Sequence, residues 1–353
     1  MHSCPQPAAS RGTGLVELMV GVVIALLAIV SAYRVLIASE TTRRVAQSDA
    51  DAQQTAQFAL SRLAFDAANA GAGIVPAAAL LDMCPVTADV AAMTRPLSVL
   101  VTDGGAPDAP DSVIVRYAVA GAVALPAYLA SPAPSGAPFA LRTTSGIAPG
   151  DHLIATDRRG ACAHTTATTT SSPAPGVLEV AHDIVAIDLP AGAAVVNLGP
   201  SPRVVATRFD VAGTVLRTTD LAGGDAPNPL ASNIVNLKLQ YGLDTDGDGV
   251  LDTWTPAVAG AAGDWSAAAV LRAGAATLGR IKALRVGIVV RGEFAERNAA
   301  QPYDWVLFDC DASDKRLCPG RLAGTIPART AAGHRYRTYE TVIPLRNLSW
   351  SRA

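Results

Sequence analysis

The strongest pattern along the chain is a run of apolar residues close to its amino terminus. Residues 18–33 carry no charge, and beyond Arg34 further apolar residues extend the run to Ala38. Because an α-helix rises about 1.5 Å per residue, this stretch nearly matches a bilayer core of about 30 Å, provided that the Arg34 side chain reaches the interface. The pattern predicts either a membrane-spanning segment or a secretory signal.

An amphipathic pattern follows the apolar run. As far as Asn69 the chain contains no proline or glycine, and its apolar positions recur at close to 3.6 residues. Gly71 and Gly73 then provide residues that end helices. We expect one long helix at residues 13–70, whose transmembrane half lies at about 15–38.

Short alternating runs between clusters of proline and glycine replace the helical pattern beyond Gly73. Such alternation is typical of half-buried antiparallel strands with one apolar face. The clearest runs are 113–119, 235–241 and 284–290, and further candidates are 153–156, 177–180, 193–198, 203–211 and 339–345. We therefore predict an α+β fold, in which the long helix packs on a large antiparallel β-rich head at residues 71–353.

Two stretches of the head have the composition of exposed loops or insertions. Residues 126–138 are rich in proline, and residues 165–175 are rich in threonine and serine. Either stretch could contact a partner, but we favour flexible surface loops for both.

Composition and charge narrow the possible functions. The 353 residues are 50% apolar and only 16% charged, which fits a protein that is partly embedded in lipid. The 28 basic and 30 acidic residues leave a net charge of −2, so no overall basic field attracts nucleic-acid phosphates. We expect no nucleic-acid partner.

Glu17 distinguishes this amino terminus from an ordinary secretory signal. The residue lies directly before the apolar run, where an unpaired carboxylate is costly to bury, so it needs a charged partner. The alternative is an ordinary signal peptide, in which Val30 and Ala32 would supply the small residues of a cleavage site.

Arg11 and Gly12, followed after five residues by Glu17 and then by the apolar helix, resemble the class III signal of type IV pilins. The resemblance implies that a prepilin peptidase removes the leader, residues 1–12, by cutting between Gly12 and Thr13, and that the new amino group is methylated. The chain departs from the family at Thr13, where Phe or Met is usual. In a bundle of parallel helices, the Glu17 carboxylate can neutralise the terminal ammonium of a neighbouring subunit.

Stretches of the head resemble the PilW-type minor pilins, namely residues 241–249, 283–291 and 339–348. This resemblance implies a single-pass inner-membrane protein with a periplasmic head, which joins the pilus fibre or its tip. The implied partners are other minor pilins, the major pilin and a tip adhesin, and the implied role is priming of pilus assembly for twitching motility and attachment. The alternatives are a type II secretion pseudopilin, or a periplasmic binding or enzymatic head on a pilin-like anchor.

The sequence contains few signs of catalysis. It has no GxSxG or HExxH motif and no glycine-rich phosphate loop. The histidines beyond the leader are scattered along the chain, at His152, His164, His182 and His334. We therefore predict that the protein acts by association and is not an enzyme.

An acidic loop after the run at 235–241 is the sharpest local motif, with spacing typical of oxygen ligands around a hard cation. The candidate ligands are the carboxylates of Asp244, Asp246, Asp248 and Asp252 and the carbonyl of Val250. Four aspartates would repel one another without a cation, so we favour a calcium ion that braces the loop. The alternative is an acidic turn, and Thr255 stands where an EF-hand has its Glu.

The cysteines indicate an oxidising compartment. Cys4 leaves with the leader, and an even set remains at Cys84, Cys162, Cys310 and Cys318. Three pairings are possible. We favour Cys310 with Cys318, because they close a short polar loop, which leaves Cys84 with Cys162. Zinc binding is the alternative, although the cysteines form no C-x-x-C pair.

Overall fold

The computed structural model describes residues 14–73, 84, 97–118, 126–143, 146–157, 159–183, 185–200, 204–221, 223–260, 262–295, 301–309, 320–331 and 333–349. Gly12, Thr13, Cys310 and Cys318, which carry predictions from the sequence, lie outside these ranges. Contacts divide the chain into two units, Met1–Asp51 and Ala52–Ala353.

The long helix, α1, runs without interruption over Leu15–Asn69. All of its large apolar side chains between Leu15 and Ile37 are exposed. Within the described part of the chain, α1 is the one helix long and apolar enough to cross a membrane. The long amino-terminal helix of the predicted fold class is thereby confirmed.

The part of α1 that belongs to the second unit is amphipathic. Ala52, Ala56, Ala59, Leu63 and Ala67 are buried and recur every three or four residues, so they share one face of the helix. Most members of this buried face are alanines, whose small side chains let the helix backbone approach the core closely.

Two glycines end α1 as the sequence predicts. Gly71 has φ +80°, and its N–H donates to the Arg116 carbonyl over 2.9 Å. Gly73 also has a positive φ, and a Cβ added there would lie only 2.8 Å from the Cβ of Ala118. A larger residue at position 73 would therefore strain both the backbone and the packing.

The remaining described elements lie in the head. The strands are β1 (Val99–Thr102), β2 (Ser112–Ala118), β3 (Ala127–Tyr128), β4 (Phe139–Leu141), β5 (Asp151–Thr156), β6 (Cys162–Ala174), β7 (Val177–His182), β8 (Ala194–Pro200), β9 (Val204–Ala212), β10 (Val215–Asp220), β11 (Asn228–Ser232), β12 (Ile234–Leu243), β13 (Thr253–Pro256), β14 (Ala259–Gly260), β15 (Gly263–Asp264), β16 (Ile281–Ala295), β17 (Tyr303–Leu307), β18 (Leu322–Ile326) and β19 (His334–Pro344). The short helices are α2 (Ala267–Arg272), α3 (Ala275–Leu278), α4 (Ala328–Ala331) and α5 (Arg346–Ser349).

These strands form three main sheets, in which all neighbours are antiparallel. A five-stranded sheet has the order β1-β2-β9-β10-β11, and a four-stranded sheet has the order β13-β12-β16-β19. A six-stranded sheet has the order β3-β8-β5-β6-β7-β4. The predicted antiparallel β-rich head is therefore confirmed, and each predicted strand overlaps an observed one.

The five-stranded and four-stranded sheets share one core with the second-unit part of α1. Two tyrosines connect these elements. The Tyr117 hydroxyl on β2 donates to Asp66 Oδ1 of α1 over 3.0 Å. The phenol oxygen of Tyr241, wholly buried on β12, accepts the Val101 N–H of β1 over 2.7 Å.

The six-stranded sheet closes on itself and encloses a second core. Leu129 bridges Leu141, which joins the chain beyond β3 to β4 at the opposite edge of the sheet. The Ala130 N–H donates to the Ala140 carbonyl over 2.7 Å at this junction. The described residues between 126 and 200 thus form a small barrel, inserted in the chain between β2 and β9 of the five-stranded sheet. We call it the inserted barrel.

The inserted barrel corrects the loop prediction for residues 165–175 and limits the one for residues 126–138. Residues 165–175 are not a loop, because β6 continues to Ala174 and pairs with β7. Threonine is β-branched and suits a strand, and this property outweighed the low-complexity composition. Residues 126–138 contain β3, and Leu129 and Ala133 within them are buried in the barrel core.

A buried ion pair ties the β1–β2 loop to β12. Lys238 Nζ lies 2.9 Å from Asp111 Oδ1, and both side chains are at most 3% exposed. Asp111 also accepts the backbone N–H groups of Gly104 and Leu239, and Lys238 donates to the Ala106 carbonyl. Burial raises the pKa of Asp111, while Lys238 and these hydrogen bonds oppose that rise.

Replacing Lys238 with methionine would leave the Asp111 carboxylate buried without a counter-charge. We expect the free energy of unfolding to fall by about 3–5 kcal/mol. Chemical denaturation of the detergent-solubilised protein measures the loss. Arg321→Met is the matched control, because its pair with Asp309 is exposed on both sides and is worth at most about 1 kcal/mol. Equal losses in the two variants would contradict this account of the buried pair.

Candidate functional site

The amino-terminal end of α1 carries the first candidate residue. Glu17 lies exposed in the first turn, and its N–H donates to the Gly14 carbonyl over 2.9 Å. A carboxylate there also suits the positive end of the helix dipole. Its proposed neighbours in the processing site, Gly12 and Thr13, lie outside the described residues, so the cleavage site stays a prediction.

Two phenylalanines add an apolar surface to the second-unit part of α1. Phe58 and Phe65 are 54% and 61% exposed. They are seven residues apart, so they lie on the same side of the helix, away from the buried alanine face. Large aromatic groups on one exposed stripe are typical of a surface that another molecule covers.

The acidic loop connects β12 to β13 and holds itself together through its own backbone. Asp244 is buried at its base, where its two carboxylate oxygens accept the N–H groups of Gly247 and Gly249 over 2.6 and 2.9 Å. Both glycines have positive φ. Asp252 Oδ2 accepts the N–H and the hydroxyl of Thr245, each over 2.6 Å.

Three of the five predicted calcium ligands meet. Asp244, Asp246 and Asp252 each offer a carboxylate oxygen, and these atoms lie within 4.8 Å of one another. Asp248 does not join them, since its Oδ1 accepts the Val250 N–H over 2.7 Å. The predicted role of the Val250 carbonyl stays a prediction. The arrangement fits a small oxygen-liganded cation with fewer side-chain ligands than the sequence suggested.

The charge on the loop is partly offset without a metal. Lys282 Nζ on β16 lies 3.6 Å from Asp244 Oδ2. Burial acts to raise the pKa of Asp244, but the backbone N–H groups of Gly247 and Gly249 and the Lys282 ammonium bring it below its usual value. The hydroxyl and N–H of Thr245 likewise lower the pKa of Asp252. Because these donors stabilise the Asp244 and Asp252 carboxylates, the loop depends less on a cation to offset the repulsion between its aspartates. Lys282 was missed because only the pairing of β12 with β16 brings it there.

Strand β6 of the inserted barrel carries one cysteine of a disulfide and one histidine of a close pair. A disulfide joins Cys84 to Cys162 at the start of β6. The histidines are scattered along the sequence, but Nδ1 of His152 on β5 lies 3.2 Å from Nε2 of His164 on β6. This contact was missed because it depends on the pairing of two strands rather than on spacing along the chain.

The described residues combine a long apolar helix with an antiparallel β-rich head. Residues 203–347 match the family described as type IV pilus-assembly protein W. This match confirms the PilW-type resemblance and supports a pilus-associated role. It covers β9 to β19 and leaves out the inserted barrel.

A solved structure of a type IV-like pilin from Thermus thermophilus is 13% identical, over 57% of this chain and 86% of that one, with a TM-score of 0.23. A TM-score of this size carries no argument about the fold. No curated protein matches the chain significantly.

Calcium at the acidic loop stays a prediction, and two substitutions separate the possible ligands. We expect calcium to raise the melting temperature of the full chain in detergent, relative to a chelator. The gain in stability is about 2.7 kcal/mol when free calcium is about 100 times its Kd. Asp246→Asn should abolish this rise, because it removes a converging carboxylate. Asp248→Asn should keep it, since the Asp248 side chain faces Val250 instead. Identical melting of the unaltered protein with and without calcium would show that the loop is an acidic turn only.

Proposed function

We propose that the protein is a minor pilin of the type IV pilus, incorporated into the fibre through α1 and helping to prime its assembly. The observation that carries this proposal is the long apolar surface of α1. Every large apolar side chain between Leu15 and Ile37 is exposed, so this segment needs lipid or other helices to cover it. The family match over residues 203–347 supports the same role.

The proposed pathway begins in the inner membrane, with α1 as the single membrane-spanning segment and the head in the periplasm. A prepilin peptidase cuts after Gly12, and the amino group of Thr13 is methylated. Glu17 then pairs with the terminal ammonium of a neighbouring subunit, because an unpaired charge is costly in a low-dielectric helix bundle.

The partners in this proposal are other minor pilins, the major pilin and a tip adhesin. Phe58 and Phe65 extend the surface available to neighbouring helices beyond the membrane segment. The protein would act by association in pilus assembly, and hence in twitching motility and attachment.

Substitutions on α1 test incorporation without disturbing the core. We expect Phe58→Ala combined with Phe65→Ala to lower the fraction of the protein recovered in sheared pili, while the stability of the head changes by less than about 0.5 kcal/mol. Phe294→Ala is the matched control, because Phe294 is also exposed, at 46%, but lies on β16 of the head. Quantitative immunoblots of fibre and membrane fractions give the measurement.

A second arm of the same experiment tests the charge at the helix start. Glu17→Ala should keep the protein in the membrane and out of the fibre, whereas Glu40→Ala, which removes an exposed acid later in α1, should not. Absence of the unaltered protein from pili would contradict the proposal. If exoprotein secretion then failed in a strain lacking it, the protein would be a secretion pseudopilin.

A further inference from the structure

The inserted barrel places two partly exposed histidines side by side on the face of its sheet that points away from the barrel core. On β5, Leu153 and Ala155 belong to the barrel core, so His152 and Ile154 lie on the opposite face of the sheet, where Ile154 is buried and His152 is partly exposed. The pairing of β5 with β6 sets Ile154 opposite His164 and His152 opposite Thr166. His152 and His164 are therefore diagonal neighbours on one face of the sheet, within reach of each other.

The two rings approach through their nitrogens. His152 Nδ1 lies 3.2 Å from His164 Nε2. The ring planes are within 10° of parallel, and their centroids are 5.3 Å apart. Both residues are partly exposed to solvent.

This separation matches the bite of a metal ion. Two imidazole nitrogens that bind one tetrahedral zinc ion at 2.0–2.1 Å are about 3.3 Å apart. We propose that His152 and His164 form a binding site for zinc or a similar borderline divalent cation on the inserted barrel. In the absence of metal, the same two nitrogens share one hydrogen bond.

The surroundings of His164, and those of Asp151 next to His152, are compatible with this role. Burial, and then the neighbouring His152, lower the pKa of His164 below its usual value. A lowered pKa favours the neutral form of the His164 imidazole, which is the form that binds metals. The adjacent Asp151 does not compete for the ion, because its Oδ2 accepts the Ala148 N–H over 2.9 Å and the Asn197 side-chain amide over 2.8 Å.

The site has open coordination positions. Within the ranges that the structure describes, no third His, Cys, Asp or Glu side chain converges with this pair. Water, or a ligand from another molecule, would complete the tetrahedron. The site lies outside residues 203–347, so it does not depend on the features shared with the pilus-assembly family.

Zinc titration of the full chain in detergent micelles tests the proposal. Calorimetry is done with excess calcium present, so that the acidic loop does not contribute to zinc uptake. We expect the unaltered protein to bind one zinc ion per chain, and His152→Gln and His164→Gln each to lose this saturable binding. His334→Gln is the matched control and should bind as the unaltered protein does, since His334 Nδ1 contacts the Gly292 carbonyl in the four-stranded sheet.

A second measurement keeps the test decisive if a variant fails to fold. Zinc should shift the ring NMR signals of His152 and His164 in the unaltered protein and leave those of His334 in place. No saturable zinc uptake by the unaltered protein, or equal uptake by both barrel variants, would overturn the proposal. The 3.2 Å contact would then be a hydrogen bond between the two rings and nothing more.

Discussion

The alanine face of α1 is the constraint on which the rest of the head depends. Ala56, Ala59 and Ala67 are at most 1% exposed, and they lie in one core with both the five-stranded and the four-stranded sheet. Larger side chains at these positions would overpack that core, because protein interiors have little free volume. The Tyr117 to Asp66 hydrogen bond then fixes the helix against β2. One side of the second-unit part of α1 is thus buried in the head, and its other side is exposed.

The residues that stabilise the head are different from those that form the exposed apolar surface of α1. The buried contacts of the second unit, including the Asp111–Lys238 pair, hold the head together. The exposed apolar residues of α1 contribute nothing to that core within a single chain. The inserted barrel has its own core and its own histidine pair. It lies outside the region that matches the pilus-assembly family.

Local patterns in the sequence predicted the helix, its glycine end and the strongest strands, because each depends on residues close together along the chain. The alternation at 235–241 and 284–290 corresponds to β12 and β16. Closure of the barrel was not predictable in this way, since it depends on Leu129 meeting Leu141 at opposite edges of a sheet.

The candidate sites show the same limit. The spacing of the acidic loop predicted where Asp244, Asp246 and Asp252 converge, because they lie within one turn of chain. The spacing also included Asp248, which is not part of the converging group and whose Oδ1 accepts the Val250 N–H. Lys282 and the His152–His164 pair were missed because strand pairing, and not sequence spacing, brings them into place.

The central claim is that α1 serves as an assembly helix, and the identity of its first residue tests this most directly. The measurement is the intact mass and amino-terminal sequence of the membrane-extracted protein, from cells with and without prepilin peptidase. The account predicts a chain that begins at Thr13 only when the peptidase is present, so that Glu17 becomes its fifth residue. A start near Tyr33 in both strains would contradict it, because the apolar first part of α1 would then have been removed as an ordinary secretory signal.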